Sequence, residues 1–170
     1  KEAINAYNKA IELNPQYVEA YIGRGLAYED LGNFQQAIID FSKAIELKPR
    51  SAEAYYNRGA AYYRLVVFGG ADDKSGNFQR AINDFSKTIE LDPQYAGAYN
   101  RRGLAYDKSG NYQQAVNDFT KTTQLDPQNA SIYINLGLAY GNLGNYQQAI
   151  NAYSKAIKVY PKYAEAYYRR

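Results

Sequence analysis

The sequence contains no cysteine, methionine, tryptophan or histidine. Those absences remove thiol nucleophiles, disulfides, soft metal ligands and the side chain most often used as a general base. A chain without cysteine suits any redox compartment, so that count does not locate it. No apolar run approaches the roughly 20 residues needed to span a bilayer, and no signal peptide is visible. Charge of one sign is missing too: 20 basic and 17 acidic residues are interspersed, for a net +3. That balance gives little reason to expect a polyanion partner. No clustered acid–base constellation appears, so no enzyme, cofactor or metal centre is expected. The chain does not start with methionine. It is read as a piece of a longer protein, expected to be soluble and cytoplasmic.

Proline is scarce as well, and its few positions organise the rest. Pro15, Pro49, Pro93, Pro127 and Pro161 are separated by 34, 44, 34 and 34 residues, so a 34-residue unit recurs, once with ten extra residues. In the first full unit, Ala20, Tyr21, Gly25, Ala27 and Tyr28 recur at helical spacing. Gly32 can take the left-handed conformation that ends a helix. Asn33 followed by Gln36 has the spacing of a helix start. Ala37, Ile38, Phe41, Ala44, Ile45 and Leu47 then form a second apolar stripe, which Pro49 cannot continue. Each unit therefore reads as an antiparallel helix pair. The expected divisions are the second helix of an incomplete repeat at 1–17, repeats at 18–51, 52–95, 96–129 and 130–163, and the start of another at 164–170. The expected architecture is all-α, with nine helices in pairs, a short terminal helix and no sheet.

Tyr133, Leu136, Gly137, Tyr140, Ala149, Tyr153 and Pro161 form a pattern that resembles the tetratricopeptide repeat, with Tyr in place of its leading Trp. The other copies depart from it in carrying Arg24, Arg58 or Arg102 where that pattern has Leu. The resemblance covers nearly the whole chain. It implies a right-handed superhelical solenoid of helix pairs, acting as a scaffold that holds a protein or peptide ligand in a concave groove lined by first helices. The groove residues it implies include Ile22 and Leu26 in the first repeat and Tyr56, Asn57, Tyr63 and Arg64 in the second. The third repeat contributes Asn100, Arg101, Leu104 and Lys108; the fourth contributes Ile134, Asn135, Leu138 and Asn142. Some family members clamp a chaperone's terminal carboxylate with Lys, Asn, Asn, Lys and Arg. Only Asn57 and Arg101 match here, whereas Ile22, Leu26 and Gly97 hold the other places, so that ligand is not expected. Acidic residues such as Glu19, Glu29, Glu53 and Asp107 along the same face argue against RNA.

The three pattern-breaking arginines vary together with a second position. Asp40, Asp84 and Asp118 occur in the same repeats, whereas the fourth has Leu136 with Ala152. Arg24 lies eight residues before Gly32 and Asp40 eight after it, so the two are level in a hairpin. Each pair is expected to bridge its own two helices, because pairing Arg24 with the preceding unit would bring it to Ala6. The ten extra residues, about 66–75, fall in the turn of the second repeat. Leu65 to Phe68 can extend the helix until Gly69 and Gly70 break it. The remainder is expected to form a mobile loop, with an apolar docking patch as the rival reading. The faces of Ile4, Tyr7 and Ile11, and of Tyr167 and Tyr168, lack a neighbouring helix. They raise end-to-end self-association, or a role as the targeting arm of a larger protein, as alternatives to peptide binding.

Overall fold

The computed structural model describes residues 2–170. Among them there are ten α-helices and no strand. One compact unit, residues 1–93, holds α1 (Glu2–Leu13), α2 (Val18–Asp30), α3 (Phe34–Leu47), α4 (Ala52–Val67) and α5 (Lys74–Leu91). The other, residues 94–170, holds α6 (Ala96–Lys108), α7 (Tyr112–Leu125), α8 (Ala130–Asn142), α9 (Tyr146–Val159) and α10 (Ala164–Arg169). In each unit, first and second helices pack as hairpins (α2 on α3, α4 on α5, α6 on α7, α8 on α9), and each later pair rests on the second helix before it.

The short turns follow from local chemistry. Gly32 ends α2 at φ +75°, and Asn33 N–H donates to Tyr28 O at 2.9 Å. This is the double-bonded C-terminal motif in which a left-handed glycine frees the next N–H to reach back five residues. Gly110 and Gly144 repeat it, with Asn111 bonding to Tyr106 O and Asn145 to Tyr140 O. Asn33 then caps α3 by accepting from Gln36 N–H at 3.3 Å.

The second repeat solves its turn differently: α4 runs on past Leu65 as the sequence suggests, whereas the end of the remainder, expected as loop, joins α5. α4 has 16 residues against 13 in α2, and α5 has 18 against 14 in α3. Four of the ten extra residues, Val66, Val67, Lys74 and Ser75, thus lengthen helices, and Leu65, Gly76 and Asn77 are drawn in with them. Asp73, accepting from Gly76 N–H at 2.8 Å, is a new N-cap that starts α5 early. Gly76 and Asn77, the turn pair in the other repeats, lie inside the helix. The loop is residues 68–73, with Gly70 at φ +66°.

The core repeats with the sequence. Phe41, Phe85 and Phe119 are fully buried, and Tyr153 holds the equivalent place in α9. A Cβ at Gly25 would sit 2.6 Å from the Phe41 ring, so glycine there is what lets α2 approach α3. Burying one such ring contributes on the order of 1.5–3 kcal/mol. The apolar face of α1 is less open than the sequence suggests: Ile4, Tyr7 and Ile11 are half-buried, and Tyr7 covers Gly23 of α2. Tyr168, by contrast, is 88% exposed.

Candidate functional site

The arginines decide which polar groups remain free. Arg24 donates through Nε and Nη2 to Asp40 at 2.8 and 2.6 Å. Arg58 grips Asp84 at 2.8 Å through both nitrogens, and Arg102 grips Asp118 at 2.8 and 2.7 Å. These are planar two-point contacts of the kind guanidinium suits best. Each guanidinium also lies near the signature tyrosine one turn earlier, 5.7 Å from Tyr21, 5.7 Å from Tyr55 and 5.8 Å from Tyr99. The hydrogen bonds to Asp40 and Asp84 hold Arg24 and Arg58 protonated more firmly than usual, against the opposing effect of burial. Burial pushes the Asp84 and Asp118 carboxyls above the ordinary range, against the pull of their arginines. The pairs are thus costly to bury and well compensated, which fits a structural role.

The sequence-level geometry missed a third contact. Arg24 Nη1 donates to Asn8 of α1 at 2.8 Å, and Arg58 Nη1 donates to Ser42 of α3 at 3.2 Å. Arg24 and Arg58 therefore each tie their own hairpin and also reach the preceding second helix. Ala6, level with Arg24 in the preceding helix, has no side-chain acceptor; two residues on, Asn8 supplies one. Another missed bond explains tyrosine at the signature position. Tyr21 O–H donates to Pro15 O, and Tyr133 O–H to Pro127 O, both at 3.2 Å.

The first-helix faces can be followed within each unit. In the first, Leu26 is 40% exposed, and Tyr56 and Asn57 are half-buried. Arg64 lies 3.4 Å from the buried Glu29 across α2 and α4, within ion-pair range. In the second unit Asn142 donates to Asp107 at 3.1 Å across α6 and α8. Glu29 and Asp107 hold the same place in their repeats, as do Arg64 and Asn142. Each face is thus stitched by an acid in one first helix and a polar side chain in the next.

Three of the groove residues implied by the resemblance face inward. Ile22, Tyr63 and Ile134 are only 7, 8 and 3% exposed. Tyr63 packs its ring 5.8 Å from Phe78. Apolar side chains at those offsets are drawn into the core, so they form a floor and offer little contact surface. Leu104 and Leu138 are partly buried against the core clusters. Arg101 and Asn135 are half-buried and Lys108 is exposed. Among the described residues neither Arg101 nor Lys108 has an ion pair or hydrogen bond, and Asn100 Oδ1 is buried without a partner.

Known proteins agree with this arrangement. Residues 1–32, 28–66, 74–110 and 103–144 match the family described as TPR repeat, and residues 130–163 match the Tetratricopeptide repeat. A crystal structure of MamA is 33% identical with a TM-score of 0.84, over 95% of this chain and 89% of that one. The thermophilic TPR protein TTC0263 of Thermus thermophilus is 24% identical, TM-score 0.75, over 98% of this chain and 86% of its own. The first TPR of Spaghetti (RPAP3), bound to the HSP90 peptide SRMEEVD, is 25% identical, TM-score 0.68, over 76% of this chain and 94% of its own. One curated relative, a UDP-N-acetylglucosamine--peptide N-acetylglucosaminyltransferase of Giardia intestinalis, is 46% identical over 40 residues. That stretch is 24% of this chain and only 3% of the transferase. With repeat matches running through both units and the helix-pair geometry to go with them, the chain belongs to the tetratricopeptide repeat family.

Proposed function

We propose that the chain is a non-enzymatic protein-interaction scaffold whose first-helix faces hold an extended, acidic peptide segment. The repeats would be those at 18–51, 52–95, 96–129 and 130–163, with the short pieces at either end belonging to neighbouring repeats. The observation that carries this reading is on α6. Arg101, Leu104 and Lys108 share one side of the helix at helical spacing, and both cations lack a partner among the described residues. An unpaired guanidinium and ammonium flanking an apolar side chain suit a carboxylate-bearing strand. Asn135 on α8, in the same unit, adds an amide able to bond a peptide backbone. The peptide complex of the RPAP3 repeat domain supports a peptide as the class of ligand. Its particular chaperone tail is not favoured, because Ile22, Leu26 and Gly97 stand where a carboxylate clamp needs polar groups.

Peptides selected from a random display library against the whole chain, with affinity followed by fluorescence anisotropy, test this. The selected sequences should be enriched in Asp and Glu. Arg101→Glu with Lys108→Glu should weaken their binding at least tenfold. Unchanged affinity in that variant would remove the first-helix face as the site. No binding of the SRMEEVD peptide is expected.

A further inference from the structure

The fourth repeat lacks the arginine–aspartate pair, and its absence changes the lining of a cleft between the helices. Leu136 and Ala152, with Tyr133 and Tyr140, floor an opening of about 250 Å³ that is rimmed by polar side chains of the second helices α7 and α9. It therefore lies away from the first-helix face proposed for peptides. The second repeat has a cleft of similar volume at the equivalent place, but Arg58, Asp84 and Arg80 make it ionic. A cavity of roughly 150 Å³ lined by apolar groups suffices for a benzene ring. The fourth-repeat cleft thus has room for one phenyl side chain and, where its counterpart has an ion pair, an apolar floor to receive it.

A cation stands with it. Lys155 lines the cleft, and in α9 its charge has no answer. The equivalent Lys43 and Lys87 pair with Glu46 and Glu90, three residues on, at 2.9 and 2.6 Å. Three residues beyond Lys155 is Lys158, a like charge. Lys155 has no ion pair or hydrogen bond among the described residues. An occupant should therefore present an apolar ring with a carboxylate close behind it.

This chain carries such a segment. The extra residues of the second repeat lengthen α4 until Phe68, which is 74% exposed, and then turn at Gly69 and Gly70. Asp72 follows with an exposed carboxylate that makes no hydrogen bond or ion pair among the described residues. Neither the loop nor the cleft is explained by the repeat pattern, and each has the chemistry that the other lacks. We propose that Phe68 of one copy inserts into the Leu136–Ala152 cleft of a second copy, with Asp72 facing Lys155. The contact is heterologous, so it links copies in a row unless the geometry closes a ring.

Complementary variants of the full chain provide the test, read as mass by sedimentation equilibrium. The wild type should rise above its 19.2 kDa with concentration. Phe68→Ala removes the ring. Leu136→Arg with Ala152→Asp rebuilds in the fourth repeat the pair that the other three already carry, so the fold should tolerate it. Each variant alone should associate at least tenfold more weakly than the wild type. Mixed in equal amounts they should associate again and stop at two chains, because only one ring and one apolar cleft remain. A wild type that stays at one chain, variants that associate as the wild type does, or a mixture that stays at one chain would each overturn the proposal. Association through the chain ends would survive both variants, and peptide binding on α6 is measured independently of either.

Discussion

At the residue scale, the arginine–aspartate pairs set burial cost against attraction. A lone buried charge is expensive, whereas a matched pair can often be exchanged for apolar groups at little cost. The fourth repeat displays that exchange in Leu136 and Ala152. Asp84→Ala should therefore destabilise the chain by about 1–3 kcal/mol, by leaving Arg58 without its carboxylate. Arg58→Leu together with Asp84→Ala should recover most of that loss, as read from urea unfolding. Tyr21→Phe is a gentler change. It keeps the ring over Arg24 and deletes only the bond to Pro15 O, so about 0.5–1.5 kcal/mol should be lost. Pairing within each repeat was legible in the sequence because Arg24 and Asp40 lie equally far from Gly32. The bonds to Asn8 and Ser42 were not, since they depend on how far a guanidinium reaches between hairpins. Candidate contact residues were legible only as offsets. Whether Ile22 or Leu26 meets solvent is decided by how closely neighbouring helices pack, and Ile22 lost its exposure to the core.

At the element scale, the proline period and the Gly–Asn turns announced almost every helix boundary. α5 is the instructive departure. Gly76 and Asn77 have the turn's composition, yet Asp73 offers an N-cap four residues ahead of Asn77 and the helix starts there. A cap contributes about 1 kcal/mol, enough to override a weak turn preference. Removing residues 66–75 would join Leu65 to Gly76-Asn77-Phe78, the same order as Leu31-Gly32-Asn33-Phe34. The shortened chain should fold. Gly76 should then adopt positive φ, visible in its backbone chemical shifts and couplings. A helical Gly76 in that variant would show that Asp73 is not what moves the boundary.

At the scale of the whole molecule, contacts run mainly between adjacent helices, and stability should be correspondingly local. Phe119→Ala empties a fully buried site in α7 and should cost about 3–5 kcal/mol there. Hydrogen exchange should quicken across α6 to α8 while amides in α2 and α3 keep their protection. Uniform loss of protection from α2 to α9 would mean the chain unfolds as one cooperative block.

The inter-hairpin bonds of Arg24 and Arg58 each reach 16 residues back, from a first helix to the second helix before it. Such wiring is relative: it specifies a neighbour and says nothing of position in the row. An in-frame duplication or loss of the 34-residue block 18–51 would leave Arg58 an acceptor at the same spacing, Ser42 or Asn8. Copy number can then drift without new contacts being invented. A feature confined to one repeat, such as the long helices α4 and α5 or the Leu136–Ala152 cleft, serves as an address in an otherwise uniform row.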